Sequence, residues 1–283
     1  MKPTIAFFGT STFSLGVLDE LERRKVLPSL IVTRRDRPKG RGLKVTPPPI
    51  KKWADIRKIE VLQPDALDGQ FLEELKKRPL DLFIVASYGK IIPKKILDIP
   101  KHGSLNVHPS LLPKFRGPTP IQSAILNGEK ETGVTIMKMD EKMDHGPIIK
   151  KEKVLVEMET VNAQELEDIL AKEGARILAD SIPDWLSGKT KAIPQNEAEA
   201  TYTKKLGKTD GKIDFSESGE TNWRKIRAFK GTIGTYFIAE KNGTEVRVKI
   251  TEARFENGTL VIEKVLPESK KEMPYQSFMK SLQ

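Results

Sequence analysis

The sequence predicts an α/β fold, in which a Rossmann-like parallel sheet is followed by a small antiparallel β-barrel. Two observations carry this prediction. Through the first half, short apolar runs alternate with apolar residues at helical spacing, which is typical of βαβ units. The last segment instead has strand-like runs separated by Asn242-Gly243 and Asn257-Gly258, a pair that favours tight hairpins. With 283 residues, the chain is long enough for one large domain and one small domain.

The first half alternates five predicted strands with three predicted helices. Ligands of such sheets bind beyond the carboxyl ends of the strands, so chemistry is expected there. The strands are Ile5–Phe8, Leu30–Val32, Leu82–Ala86, Ser104–Val107 and Val134–Met137, and the helices are Leu15–Arg24, Ile50–Ile59 and Phe71–Lys77.

A longer helix is predicted after Met158, because Asn162 and Glu165 have the spacing of a capping box. We expect Pro183 and Gly188 to end it. Residues 189–200 lack apolar periodicity and are typical of a linker. These patterns predict a large α/β domain over 1–188, a linker over 189–206 and a small antiparallel, OB-like barrel over 207–283. Its strands are predicted at Thr235–Ala239, Val246–Ile250 and Leu260–Lys264.

Composition restricts the chemistry. The chain has no cysteine, which excludes disulfides, thiolate metal sites and a cysteine nucleophile, and it has three histidines. We therefore expect no metal. No apolar run is long enough to span a bilayer, and the first residues lack the features of a signal peptide, so a soluble cytoplasmic protein is expected.

The net charge of +10 predicts an anionic partner. The excess is concentrated in two segments. Residues 34–44 contain six basic residues and one acidic residue, and residues 204–283 contain 16 basic and 11 acidic residues. Solvated surface lysines are the alternative explanation for such a surplus.

The densest polar cluster at a predicted strand end contains Asn106 and His108. Side chains two apart in a strand share a face, so these two should project together. An amide donor beside an imidazole suits acyl transfer, in which an oxyanion must be stabilised. The alternative is that both residues only fix a loop.

A second polar turn, residues 139–147, follows the next predicted strand. A carboxylate there could orient an imidazole or help to take a proton from an attacking amine. Asp144 is the better candidate, while Asp140 could equally cap a turn. The loop after the first strand matches neither a dinucleotide-binding nor a P-loop motif.

Several motifs together resemble the formyltransferase family that uses 10-formyltetrahydrofolate. The resemblance covers nearly the whole chain. It is carried by NVHPSLLPKFRGPTPIQ (106–122), TGVTIMKMD (132–140), Asp144-His145-Gly146, VASYGKIIP (85–93), ATYTKKL (200–206) and VLPESKKEM (265–273).

The resemblance implies roles for individual residues. Asn106, His108 and Asp144 would form a catalytic trio, with Asn106 and His108 at the oxyanion and Asp144 orienting His108. Residues implied to contact tetrahydrofolate are Tyr88, Gly89, Ser110, Leu111, Leu112, Pro113 and Asp140.

The likeness is strongest to the branch of the family that formylates initiator methionyl-tRNA, and a monomer is expected. Residues 36–44 look like the basic loop of that branch, made flexible by Gly40 and Gly42. Contacts to tRNA are implied for Arg37, Lys39, Arg41 and Lys44.

Two other functions share parts of this pattern. A sugar-nucleotide N-formyltransferase would have the same catalytic core but no need for a basic loop at residues 34–44. A non-catalytic RNA-binding protein on the same scaffold would have lost one of Asn106, His108 and Asp144, and all three are present.

Overall fold

The structure, a computed structural model, describes residues 2–39, 42–241 and 243–282. Its strands are β1 (Ile5–Gly9), β2 (Leu30–Val32), β3 (Arg37–Lys39), β4 (Lys44–Thr46), β5 (Glu60–Leu62), β6 (Leu82–Ala86), β7 (Ser104–His108), β8 (Thr132–Lys138), β9 (Ile148–Val154), β10 (Thr235–Lys241), β11 (Thr244–Glu256), β12 (Thr259–Pro267) and β13 (Met273–Pro274). Its helices are α1 (Thr12–Arg23), α2 (Pro49–Ile56), α3 (Gly69–Lys76), α4 (Lys94–Leu97), α5 (Pro120–Leu126), α6 (Ala163–Leu186), α7 (Gly219–Phe229) and α8 (Tyr275–Lys280).

The chain divides into two compact units, each assembled from separate stretches. The first comprises Met1–Pro118, Gly133–Val154 and Glu167–Tyr202. The second comprises Thr119–Thr132, Leu155–Leu166 and Thr203–Gln283. The domain boundaries at 188 and 206 stay predictions. Within the described ranges, no helix has the length and apolar character needed to cross a membrane.

A seven-stranded sheet in the order β5-β2-β1-β6-β7-β8-β9 forms the centre of the first unit. The pairs from β5 to β7 are parallel, which confirms the predicted α/β sheet, whereas β8 runs antiparallel to β7. Each of the five predicted strands is present. The buried strands are almost entirely apolar because helices cover both faces.

Close contacts hold helix α6 against one face of this sheet. A Cβ placed on Gly174 would lie 2.5 Å from Val107, so only glycine allows this approach. Ala6, Phe8, Phe83 and Val85 point to the other face, where they pack in one core cluster with residues of α3 and α4. Side chains alternate along a strand. Because Val107 faces α6, its neighbours Asn106 and His108 point to the sheet face that carries the α3 and α4 core cluster.

The predicted capping box of α6 is confirmed, and Gly188 does lie just beyond the end of the helix, but the prediction that Pro183 helps to end it is wrong. Asn162 Oδ1 accepts from the backbone N–H of Glu165, and the Glu165 carboxylate accepts from that of Asn162. Pro183 lies inside the helix, which continues to Leu186. A proline one turn before the end removes a single N–H donor, and Gly188, at a φ of +74°, follows where the chain leaves the helix.

The second unit contains the antiparallel sheet β10-β11-β12-β13, so the three predicted strands and their antiparallel pairing are confirmed. Phe237, Val248, Val265 and Phe278 form its core. Helix α7, which the sequence pattern did not predict, has Ser218 as its N-cap, and the hydroxyl of Ser218 accepts from the Thr221 N–H. Closure of this sheet into a barrel stays a prediction.

Candidate active site

Asn106 and His108 lie on β7, the last strand of the parallel part of the sheet. Their exposed fractions are 7% and 4%, so both polar side chains are buried. Buried polar groups need hydrogen-bond partners, and the surrounding loops supply them.

The His108 ring is fixed by the chain that follows β7. Its Nε2 lies 2.9 Å from the carbonyl oxygen of Phe115. A carbonyl oxygen only accepts, so Nε2 carries a proton in this contact. The second ring nitrogen, Nδ1, lies 3.7 Å from Asp144 Oδ2. His108 can therefore exchange a proton or donate to a substrate only through Nδ1.

Asp144 completes the cluster. Asn106 Nδ2 donates to its Oδ1 across 3.4 Å, and the backbone N–H of Gly117 donates to its Oδ2 across 2.7 Å. Asp144 has a φ of +47°, in the left-handed region where aspartate and asparagine are tolerated better than most residues. The structure thus brings Asn106, His108 and Asp144 together, with an amide, an imidazole and a carboxylate within contact distance.

Asp144 does not reach the cluster from the carboxyl end of a parallel strand, as the predicted parallel sheet implied. Because β8 is antiparallel to β7, the loop after β8 starts beside the beginning of β7: Lys138 pairs with Leu105. The loop then folds back over the sheet face before β9, and the Lys138 N–H donates to Pro147 O at its far end. This reversal carries Asp144 to Asn106.

Asp140 contacts a different partner. Its Oδ2 lies 2.6 Å from His145 Nδ1, and its Oδ1 accepts from the Lys142 N–H. The carboxylate that faces His108 is therefore that of Asp144, and Asp140 organises the turn.

The residues expected near tetrahydrofolate after β7 are held tightly. The Ser110 hydroxyl donates to Lys114 O, and the Leu112 N–H donates to the Thr135 hydroxyl. Ser110, Leu112 and Pro113 are buried, whereas Leu111 is half-buried. This segment forms a rigid wall whose side chains mostly point inward.

Tyr88 and Gly89 follow β6, beside β7 in the sheet. The Tyr88 ring is in the core, edge-on to Phe8, and burial raises the pKa of its hydroxyl to about 12. Gly89 is exposed at a φ of +78°, with open space where a side chain would be. Of this pair, Gly89 therefore borders solvent and Tyr88 does not.

The basic segment forms a hairpin, where the sequence predicted a flexible loop. Strands β3 and β4 pair antiparallel, with Arg37 opposite Thr46, and the side chains of Arg37 and Lys44 are exposed. Lys39 belongs to β3, while Arg41, also predicted to bind tRNA, lies outside the described residues.

Contacts at its base fix this hairpin. Lys51 Nζ and Gln63 Nε2 both bond the Asp36 carboxylate, at distances of 2.7 to 3.1 Å. The hydrogen bond from Gln63, followed by that from Lys51, lowers the pKa of Asp36.

Arg116 is a buried charged residue to which sequence reasoning gave no role. Its side chain is fully buried. The sequence around it, in which proline, phenylalanine and glycine lie close to an arginine in a loop, was the feature that could have pointed to this residue. Buried arginines require paired acceptors.

An amide, an imidazole and a carboxylate grouped on a mostly parallel α/β sheet suit an enzyme that transfers an acyl group to an amine. The chain belongs to the formyl transferase family, whose model matches residues 1–182.

The proteins that are similar to this chain include methionyl-tRNA formyltransferases and an N-formyltransferase solved with an amino-sugar nucleotide. A methionyl-tRNA formyltransferase from Listeria monocytogenes is 38% identical over 97% of this chain and 94% of its own length. The structure of a methionyl-tRNA formyltransferase from Clostridium thermocellum matches with a TM-score of 0.64 at 19% identity, covering 94% of this chain and 98% of that one.

An N-formyltransferase from Helicobacter canadensis, solved with folinic acid and dTDP-3-aminofucose, has a TM-score of 0.63 at 18% identity and covers 93% of this chain and 94% of that one. The fold is thus shared by a methionyl-tRNA formyltransferase and an N-formyltransferase solved with an amino-sugar nucleotide, so the fold alone does not identify the acceptor.

Proposed function

We propose that the protein transfers the formyl group of 10-formyltetrahydrofolate to the amino group of methionine on initiator methionyl-tRNA. The observation that carries this proposal is the cluster of Asn106, His108 and Asp144 in a chain that aligns over 97% of its length with a methionyl-tRNA formyltransferase. We expect it to act in the cytoplasm as a monomer.

The reaction moves one acyl group between two nitrogens. The methionine amine forms a bond to the formyl carbon, the amine loses a proton, and the bond from that carbon to the donor nitrogen breaks as the donor nitrogen gains a proton. The bound formyl-donor supplies an activated carbonyl carbon and leaves as tetrahydrofolate.

Asn106 and His108 stabilise the oxyanion in this proposal. One N–H of the Asn106 amide is directed to Asp144, which leaves its second N–H for the substrate oxygen. Because Nε2 is bonded to Phe115 O, Nδ1 is the ring nitrogen left for the substrate, and it donates to the oxyanion when the ring carries a proton on both nitrogens. Removing one oxyanion donor of this kind typically lowers kcat by about 100- to 1,000-fold.

Asp144 holds His108 and receives the amine proton, directly or through water. Its charge is anchored by the short hydrogen bond from the Gly117 N–H, and this contact leaves lone pairs on both oxygens for other partners. A carboxylate placed beside an imidazole and an amide can act without large movement of the loop that carries it.

The residues assigned to tetrahydrofolate fit this donor unequally. Gly89 provides a bare backbone that a flat ring could approach, and Leu111 and Asp140 are half-buried at the surface. The remaining residues are buried and would support the segments that face the donor: Tyr88, Ser110, Leu112 and Pro113. We propose that Gly89, Leu111 and Asp140 contact the donor. The four buried residues would instead hold these contact residues in place.

The acceptor is assigned to tRNA because of the basic hairpin. Arg37 and Lys44 present exposed cationic side chains on a short β-ribbon, and Leu43 and Val45 beside them are also exposed, at 71% and 61%. Cationic groups bind phosphates, and apolar groups can pack against unpaired bases. A sugar nucleotide is too small to need such a surface.

A comparison of acceptors tests the proposal. The purified protein is incubated with 10-formyltetrahydrofolate and either methionyl initiator tRNA, uncharged tRNA or an amino-sugar nucleotide. We expect formyl transfer to the charged tRNA only. Transfer to the sugar alone would keep the chemistry and overturn the assignment of the acceptor.

A further inference from the structure

The segment Gln195–Tyr202, predicted as a linker, contacts both loops of the candidate active site. The Arg116 N–H donates to Thr201 O, and the Phe115 N–H donates to the Thr201 hydroxyl. Arg116 and Tyr202 also form a parallel β-bridge. This part of the chain therefore belongs structurally to the site.

Arg116 is the centre of these contacts. Its guanidinium donates to the Glu197 carboxylate at 2.6 and 3.0 Å and to the Tyr202 hydroxyl at 2.9 Å. The Gln195 side-chain oxygen accepts from its Nε and Nη2 at 3.1 and 2.9 Å. A buried guanidinium with this set of acceptors has a single allowed position.

The amide nitrogen of Gln195 reaches the second loop. Its Nε2 donates to the carbonyl oxygens of Asp144 and Gly146, at 2.8 Å each. One side chain thus links Arg116, in the loop after β7, to the backbone of Asp144, in the loop after β8. The other end of Asp144 is held by Gly117, the neighbour of Arg116.

We infer that Gln195 is a positioning residue for Asp144, acting through the carbonyl oxygens of Asp144 and Gly146. The inference rests on the proposed function, since Asp144 is taken to work on the substrate. Asp144 has a positive φ, a conformation that residues other than glycine adopt uncommonly. The Gln195 amide fixes its carbonyl and so sets the direction of the carboxylate toward His108 and Asn106.

Two substitutions separate the two halves of the Gln195 amide. Gln195→Glu keeps an acceptor for Arg116 but places a carboxylate oxygen against two carbonyls that need donors. Gln195→Met keeps the length of the side chain and removes both functions. The matched control is Asn196→Asp, which makes the same chemical change at the next residue. Asn196 bonds only Ala198 and Glu199 in the contacts described for it, and an aspartate would keep the acceptor for Ala198.

We expect both Gln195 variants to lower kcat by about 10- to 100-fold, because a shift of the order of an ångström in a reacting group has that effect. KM for the tRNA and for the formyl donor should change by less than about 2-fold, as befits a loss confined to the transition state. Asn196→Asp should match the original protein. An unchanged kcat in both Gln195 variants, or a loss confined to KM, would overturn the inference.

A second measurement does not depend on activity. The chain has three histidines, so the ring signals of His108 can be assigned by nitrogen-15 NMR. Because Asp144 Oδ2 faces His108 Nδ1, we expect the Nδ1 chemical shift to move in both Gln195 variants and to stay in place in Asn196→Asp. Folded Gln195 variants with an unaltered His108 signal would contradict the positioning role. Failure of the original protein to formylate any amine would instead reject the proposed function, and the NMR comparison would still decide the role of Gln195.

Discussion

At the scale of single residues, the candidate site combines features that the sequence reveals with others that it hides. Asn106 and His108 could be predicted because a period of two along a strand puts them on one face. The contact of Asp144 depends on a reversal of the chain after β8. The contacts of Gln195 join residues about fifty positions apart, and no local pattern predicts them.

The first residue-scale prediction concerns His108. Its replacement by alanine removes the imidazole whose Nδ1 faces Asp144, so we expect kcat to fall by at least about 100-fold while the fold is retained. Formyl transfer and circular dichroism measure the two effects. His102→Ala is the control, because the described contact of His102 with Trp185 uses its backbone oxygen. Full activity in His108→Ala would remove this residue from the mechanism.

A second substitution isolates the charge of Asp144. Asn is tolerated at positive φ and can still accept from the Gly117 N–H, so Asp144→Asn should fold normally. We expect kcat to fall by about 100-fold or more, since an amide cannot take a proton from the amine. Steady-state kinetics with a melting curve checks both statements. Turnover equal to that of the original protein would show that the carboxylate is not needed.

At the scale of elements, long periodic segments were predictable and short or polar ones were not. Strand β5 has only three residues and follows a helix whose apolar pattern runs into it, so the predicted helix extended to Ile59 while α2 ends at Ile56. Helix α7 has mostly polar and charged residues, and its stabilising contacts are tertiary. The basic hairpin lacks apolar alternation because both of its faces are exposed.

If the basic hairpin binds tRNA, removal of its exposed positive charges should weaken binding of methionyl-tRNA. We expect the double substitution Arg37→Ala with Lys44→Ala to raise KM for methionyl-tRNA by about 10-fold or more, with little effect on the formyl donor, since each cation that binds a phosphate strengthens binding. Lys95→Ala with Lys101→Ala, at exposed positions outside the hairpin, is the control of equal charge. Equal KM values in both double variants would show that the hairpin does not bind tRNA.

The base of the hairpin should respond to acid. Hydrogen bonds from Gln63 and Lys51 lower the pKa of Asp36 below its ordinary value of 3.8. A lowered pKa in the folded state means that the carboxylate stabilises the base above pH 3.8 and that this contribution is lost as the pH falls through the folded pKa. We expect hydrogen exchange of the β3 and β4 amides to accelerate in that acid range, and to be faster already at neutral pH in Asp36→Asn. Hydrogen-exchange rates that change neither in acid nor in Asp36→Asn would contradict this role of Asp36.

At the scale of the whole molecule, the sequence predicted a large α/β part and a small antiparallel part, and both are present. The assembly of each unit from separate stretches was not predictable. Residues 155–166 belong with the last eighty residues, because the buried Arg227 donates to the carbonyl oxygens of Met158 and Val161. Hydrogen bonds of this kind join stretches that are far apart in the sequence, and amino-acid composition does not predict them.

Charge substitutions in the second unit test its part in binding without disturbing these contacts. Lys249 and Lys270 are exposed there. We expect Lys249→Glu with Lys270→Glu to weaken tRNA binding and to lower the slope of log affinity against log salt by roughly 1 for each cation that no longer binds a phosphate. The charge-preserving pair Lys249→Arg with Lys270→Arg should keep the slope. An unaltered slope in the glutamate variant would show that this surface does not contact tRNA.

The claim that unites these scales is that the chain formylates the methionine amine of initiator methionyl-tRNA. The most direct measurement uses 10-formyltetrahydrofolate with an isotopically labelled formyl carbon, followed by release of the amino acid from the tRNA and mass spectrometry. We expect labelled N-formylmethionine with the original protein and about 100-fold less with Asp144→Asn. Unmodified methionine from the original protein, with active donor and intact charged tRNA, would contradict the proposed function.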